Sequence, residues 1–330
     1  MTWSFFLYDD NVPEEYKPCW EYIMLKKNAL IRTPGFRLFL MTLPFLAAVF
    51  VFSYLPLYGW SYAFFDYHAG MKLLDCEFVG FKFFRTMVEN PISREEIFRV
   101  LKNTFGISFL NILVSPLPVI FAIFLMEMRK KRVRSVIQTL TTLPNFISWV
   151  LVYSLAWSMF SVEDGFINRL LMATHVIDHE INFLVSSDHV WLTMLAYSLW
   201  KTLGWSAIMY IAAISSIDSE QYEAAKVDGA NRFQCMWHIT VPGILPTYFV
   251  LLLLTIASFI SNGMEQYYLF ENPMNKGAIE VLDLYVYNMG MVGQNISYST
   301  AVGVLKSLVS VSLLFFANGL SKLFRKESII

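Results

Sequence analysis

Residues 104–126 read TFGISFLNILVSPLPVIFAIFLM, and residues 127–134 directly after them read EMRKKRVR. The first stretch carries no charge and is long enough to cross a bilayer, which takes about 20 apolar residues. The second places Arg129, Lys130, Lys131, Arg132 and Arg134 at its end. An apolar run closed by a dense basic cluster is the pattern of a membrane helix whose basic end stays in the cytoplasm. Working outward, 38–57, 136–162 and 241–264 are also free of charge, and 190–217 and 297–320 contain one lysine apiece, Lys201 and Lys306. The spacing therefore predicts an all-α integral membrane protein with six transmembrane helices, which puts both termini on one side.

The basic segments say which side. Lys26, Lys27, Arg32 and Arg37 precede the first run, and Lys322, Arg325 and Lys326 follow the last. With six spans these fall on the same side as the cluster near 130, so both termini and the loops near 130 and 230 are expected in the cytoplasm. The outer loops are then 58–98, 163–189 and 265–296. The domain reading is a cytoplasmic segment 1–35, a membrane domain 36–325 and a cytoplasmic tail 326–330. Bulk composition agrees with this. The 330 residues are 56% hydrophobic, 17% aromatic and only 15% charged, against about 25% charged for a soluble domain. A net charge of −1 supplies no field for nucleic acid. Cys19, Cys76 and Cys235 show neither metal spacing nor a disulfide framework. Pro44, Pro56, Pro116, Pro118, Pro144 and Pro246 lie in or at the ends of the runs, where each removes a helix hydrogen bond. Such breaks persist in lipid where neighbouring helices or a water-filled cavity satisfy the freed groups.

The cytoplasmic segment 216–242 reads as two short helices. Asp218, with Gln221 three residues on, suits a helix start and Gly229 its end; Asn231 with Gln234 suggests a second start. Phe233, Met236, Trp237 and Thr240 fall on one face at helical spacing. Glu223-Ala224-Ala225, then Gly229, then Ile239-Thr240-Val241-Pro242 resembles the EAA signature of bacterial ABC importer permeases, with valine where that signature has leucine. YEAAKVDGA at 222–230, LPNFISW at 143–149, WKTLGW at 200–205, Asn103-Thr104, WHITVPG at 237–243 and Ala317-Asn318 are similar to the carbohydrate-uptake branch of the type I importers, and within it to permeases for polysaccharide fragments.

That resemblance implies the type I ABC importer permease fold, in the bacterial cytoplasmic (inner) membrane. It also implies partners: a second homologous permease, two ABC ATPase subunits, an extracytoplasmic solute-binding protein, membrane lipid and an oligosaccharide substrate. Glu223 would anchor the loop to an ATPase, Ala224 and Ala225 would permit close packing, Asp228 would serve the helix end and Gly229 the turn. This chain has no phosphate-binding Gly-x-x-x-x-Gly-Lys-Ser/Thr sequence. ATP and Mg are accordingly expected on partner subunits, and this chain is expected to bind no cofactor and to be non-catalytic.

Lys201 and Lys306, charged at membrane depth, either face a cavity and meet an acidic or hydroxyl-rich sugar, such as a uronate oligomer, or are held by backbone carbonyls or the interface. Aromatic and amide side chains suit sugars, through stacking and hydroxyl pairing. On that ground Trp200, Trp205, Tyr210, Asn111, Asn262, Gln266, Tyr267 and Tyr268 are pathway candidates, each with helix packing as the competing role. His175 and His179 are four apart but have no evident third ligand, so no metal is expected. Two other functions stay open on composition alone. A membrane-embedded glycosyl or lipid transferase needs acidic clusters at a membrane face, and a secondary transporter needs internal repeats and intramembrane carboxylates. The EAA-like loop speaks against both.

Overall fold

The computed structural model describes residues 34–325. Apart from residues 34 and 35, the segment 1–35 lies outside them, as does the tail 326–330. The chain divides into two units, up to Ser61 and from Tyr62 onward. In the first, α1 (Pro34–Val49) contains Pro44 and continues through a π turn, Phe50–Tyr54, into the 3₁₀ stretch Leu55–Phe64. Its side chains from 38 to 58 are exposed, and their apolar character makes lipid or another apolar helix a suitable environment for them.

In the second unit, α2 (Lys82–Glu89) is a short amphipathic helix that buries Phe83 and Met87. The next helix, α3 (Pro91–Val114), starts on Asn90, whose side chain accepts from the Ile92 and Ser93 amides, with Pro91 in the first turn. After a break at Ser115-Pro116 the chain resumes as α4 (Leu117–Met126). Then follow α5 (Lys131–Thr142), α6 (Trp149–Phe160), α7 (Phe166–Ala173) and α8 (Val190–Ser215). The chain continues with α9 (Ser219–Val227), α10 (Arg232–Cys235), α11 (Val241–Ala257), α12 (Glu265–Phe270), α13 (Lys276–Ile279), α14 (Leu282–Tyr287) and α15 (Ile296–Arg325). No strand occurs among the described residues.

The expectation of six spans is met in part. Four helical stretches are long and apolar enough to cross a membrane: Pro34–Phe64, Pro91–Met126, Arg232–Ala257 and Ile296–Gly319. A fifth is counted if Lys131–Phe146 and Trp149–Phe160, bent by 105° at their junction, form one span. At 26 residues, α8 is about 39 Å long. Its tryptophans, tyrosines, hydroxyl residues and Lys201 dilute the apolar run. The fifth run also stops short of its expected end, because α11 ends at Ala257 and an irregular stretch leads into α12.

The 105° bend has a local cause. Pro144 supplies no amide, Leu143–Phe146 tightens into a 3₁₀ turn, and Ile147 and Ser148 are extended. The Ser148 hydroxyl then caps α6 by accepting from the Leu151 amide at 3.4 Å. Carbonyls left over by such a break need a donor, since lipid offers none. The donor is Lys201 on α8, buried at 8% exposure. Its ammonium donates to the carbonyls of Pro144 at 3.2 Å and Asn145 at 3.0 Å, and to that of Ile147.

Packing centres on α8, which lies against α3, α4, α5 and α11. Where it meets α5 a side chain is not tolerated: a Cβ on Gly204 would sit 2.3 Å from the carbonyl carbon of Thr141. Ala122, Ile123, Ala207, Tyr210, Ile214 and Ile244 form a core where α8 meets α4 and α11. A second core joins Ile107, Met194, Tyr267, Phe270 and Leu284, and a third joins Val100, Tyr285, Tyr298 and Ala301. Polar groups fasten the segment 265–296 to α3. Asn103 donates to the carbonyls of Gly277 and Glu280 at 3.0 and 3.1 Å, and the Thr104 hydroxyl accepts from the Leu282 amide at 2.9 Å. Arg99 pairs with Glu280 at 2.8 Å. Burial pushes the Glu280 carboxyl above the usual carboxylate range, opposed by the Asn288 amide and by the charges of Lys276 and Arg99.

Candidate functional site

A cleft of about 530 Å³ opens between α3, α4, α8 and α11. The residues α8 gives it include Ser198, Thr202, Ser206 and Tyr210, four apart and therefore stacked along one face of the helix. Trp205 also lines it, 49% exposed, with its ring held edge-to-face by Phe146 at a centroid distance of 5.7 Å. Opposite stand Asn111 and Ser115, beside the α3–α4 break, and Thr255 and Ser258, at the end of α11. The Ser115 hydroxyl lies 3.1 Å from that of Tyr248. Among the described residues lining the cleft none is charged.

Of the residues expected along the pathway, Trp205, Tyr210 and Asn111 meet in this cleft; Trp200 lines a separate apolar pocket with Val152 and Tyr197. Lys201, though on the same helix, is turned to the bend. Lys306 forms an ion pair with Asp283, whose other carboxylate oxygen accepts from the Gly263 amide at 2.9 Å. Gln266 is buried and donates to the Met194 carbonyl at 2.7 Å, and Tyr267 is buried in the same core. Asn262 donates to the Ser108 hydroxyl at 2.9 Å. Tyr268 is half exposed and meets Tyr287 edge-on at 5.5 Å. None of these six lines the cleft: Lys201 and Gln266 are held by backbone carbonyls, Lys306 and Asn262 by the side chains of Asp283 and Ser108, and the two tyrosines pack elsewhere. Ser115, Ser198, Thr202, Ser206, Thr255 and Ser258 are the hydroxyl-bearing lining residues that reading the sequence missed. The four-residue spacing 198, 202, 206, 210 was the signal available.

The short helices near 230 are built as their caps indicate. The Asp218 side chain accepts from the Glu220 amide at 3.0 Å, opening α9. Gly229 ends the helix at φ +80°, where an L side chain is strained. The Ala230 amide reaches back to the Ala225 carbonyl at 2.8 Å, and the Gly229 amide to Lys226 at 3.1 Å, the paired bonds of a Schellman end. Asn231 and Gln234 exchange the reciprocal bonds of a capping box at 2.9 and 2.8 Å. Glu223, Ala224, Asp228 and Gly229 are exposed, Ala225 is half-buried, and Val227 is 88% exposed. The single face expected for Phe233, Met236, Trp237 and Thr240 is divided. The first three line an apolar pocket with Ile123 and Ile244, while Thr240 is buried with its hydroxyl 2.9 Å from that of Tyr222. A π turn over Met236–Thr240 is the reason, since its extra residue breaks α-helical phasing.

Only Ser216 to Asp218 separate α8 from α9, and Arg232–Ala257 runs as one helix through the π turn. Two walls of the cleft therefore lead directly into the exposed helix pair. A cleft with polar lining among membrane helices, continuous with an exposed, tightly capped helix pair, is the arrangement of a membrane transport subunit. Residues 114–326 match the family of binding-protein-dependent transport system inner membrane components, and the chain belongs to that family. It is 41% identical to Protein LplB of Bacillus subtilis (strain 168) over 88% of this chain and 90% of that protein. It is 39% identical to the polygalacturonan/rhamnogalacturonan transport system permease protein YteP of the same organism, over 88% and 89%. The permease fold is shared with a bacterial alginate ABC transporter, whose crystal structure is in complex with alginate pentasaccharide-bound periplasmic protein. The TM-score is 0.79 at 30% identity, covering 94% of this chain and 99% of that one.

Proposed function

We propose that this chain forms one half of the membrane pathway of an ATP-driven oligosaccharide importer, with 530 Å³ of that pathway visible as the cleft. The substrate is an oligosaccharide of the polysaccharide-fragment type, handed over by an extracytoplasmic binding protein. A second homologous permease supplies the other half. Two ATPase subunits hold the ATP and Mg, dock on the coupling loop 216–242, and leave this subunit without a catalytic step. In this reading α8 completes the six spans as the fourth in chain order, both termini and the loops near 130 and 230 face the cytoplasm, and the partition 1–35, 36–325, 326–330 holds. Support comes from the relatives and from the identity of the exposed residues Glu223, Ala224, Asp228 and Gly229.

One observation carries the mechanism: the helices that line the cleft are continuous, or nearly so, with the exposed pair. A stiff element with both ends capped transmits displacement, whereas a loose loop would absorb it. An ATPase closing on α9 would shift α8 and α11 together and so change access to the cleft. Ala224 is exposed, so Ala224→Trp leaves this chain's own packing intact and obstructs only the docking face. In the importer reconstituted in lipid vesicles, that variant is expected to lower binding-protein-stimulated ATP hydrolysis at least about tenfold, the loss of about 1.4 kcal/mol of docking energy. Unchanged stimulation would refute docking at this helix.

A further inference from the structure

The cleft has a chemical character that narrows what this subunit recognises. Its α8 wall is a ladder of hydroxyls at Ser198, Thr202, Ser206 and Tyr210, spanning about 18 Å from the helical rise. That is several times the width of one sugar ring. Beside the ladder the Trp205 ring presents a half-exposed surface, and its edge-to-face contact with Phe146 fixes its tilt. Phe146 in turn sits in the bend that Lys201 holds. The two charges at membrane depth that could have met a carboxylate both have internal partners. Lys201 is bound to three carbonyls and Lys306 to Asp283.

Resting on the permease reading above, we propose that the wall supplied by this chain recognises sugar hydroxyls and ring faces and takes no part in recognising carboxylates. Hydroxyl groups donate and accept, so they pair with sugar hydroxyls in many orientations, Thr202 as an acceptor because its own proton goes to the Ser198 carbonyl, and an indole face packs on the C–H face of a pyranose. Neither carries a charge to pair with a uronate, and engaged with sugar hydroxyls and ring faces they meet the acid and its neutral counterpart alike. If the cargo is acidic, its charge is met by the second permease or the binding protein, and the two halves of the pathway divide the work. A neutral wall also lets a charged oligomer slide along it, because no site holds a carboxylate strongly.

The test uses the importer assembled with its partner subunits in nanodiscs, without binding protein. The probes are a galacturonate oligomer and the same oligomer with its carboxylates methyl-esterified. Binding is followed by calorimetry for the wild type, Thr202→Val and Trp205→Ala. Each substitution is expected to weaken both probes by one common factor of about three to ten, the worth of a neutral hydrogen bond or a ring contact. That factor should be the same at low and high salt, since no charge on this wall is screened. Variants that weaken the acid alone, or a factor that shrinks with salt, would overturn the inference. So would variants that bind both probes as the wild type does, and in that case the permease reading stands. Binding of neither probe to a complex whose ATPase responds to a loaded binding protein would instead remove the cleft as an oligosaccharide site.

Discussion

Lys201→Met removes an ammonium whose partners are all backbone carbonyls, and the consequence can be worked through. The carbonyls of Pro144, Asn145 and Ile147 lose the ammonium together, inside a 105° bend where that of Pro144 keeps the Ile147 amide at 3.1 Å. A hydrogen bond to a charged group contributes about 1.5–3 kcal/mol. Against the loss stands the desolvation cost of burying the ammonium, which methionine relieves. Three bonds lost and one desolvation recovered leave a net destabilisation of about 2–4 kcal/mol, since each buried acceptor left unsatisfied costs about 1–3 kcal/mol. For a soluble domain each kcal/mol lowers the melting temperature by about 2–4 °C at 150–250 residues, so a fall on the order of 10 °C is expected. The assay is thermal unfolding of the purified permease in nanodiscs, followed by tryptophan fluorescence. Lys201→Arg is the informative companion, since a planar guanidinium cannot present three donors to the same point; it is expected to recover only part of the loss. A melting temperature within a degree of wild type for Lys201→Met would refute the reasoning, because the bend would then hold without its donor.

Gly204→Ala is expected to force α8 away from Thr141, where a Cβ would lie 2.3 Å from the backbone, at a cost of about 1–3 kcal/mol, measurable in the same unfolding assay. For the Lys306–Asp283 pair, Lys306→Met leaves a carboxylate at 18% exposure without its cation and is expected to cost about 3–5 kcal/mol. The double variant Lys306→Met, Asp283→Asn is expected to regain most of that, and a strictly additive double-mutant cycle would show the pair to be uncoupled.

Much of the helical order is written in local signals. Asp218, Gly229, Asn231 and Gln234 specify their caps within a few residues, so both short helices are legible in the amino-acid order itself. Four of the six apolar runs locate candidate membrane helices for the same reason: hydrophobicity is summed over a window and tolerates error in each position. What escaped depends on partners distant in the chain. Lys306 reads as a free cation until Asp283 is brought beside it, and Gln266 and Tyr267 read as pathway groups until α8 closes over them. The bend at 143–148 is hinted at by Pro144, but its angle depends on a lysine far along the chain on another helix. The hydroxyl ladder was missed for a different reason: serine and threonine are common in membrane helices and bond to their own backbone, as Thr202 does to the Ser198 carbonyl.

The π turn at Met236–Thr240 makes the helix from Arg232 to Ala257 a shaft with a fixed angular offset. Each residue turns an α-helix by about 100°, so the extra residue sets how Phe233 and Trp237 are aimed relative to the wall that α11 presents to the cleft. Deleting one residue there would restore regular winding and would swing the exposed end by about 100°, a little over a quarter of a revolution, relative to that wall. Spacing across this joint is therefore part of the machinery in its own right. A relative that varied its length by one would have to re-time the joint elsewhere, or lose the alignment between the exposed helix pair and the cleft.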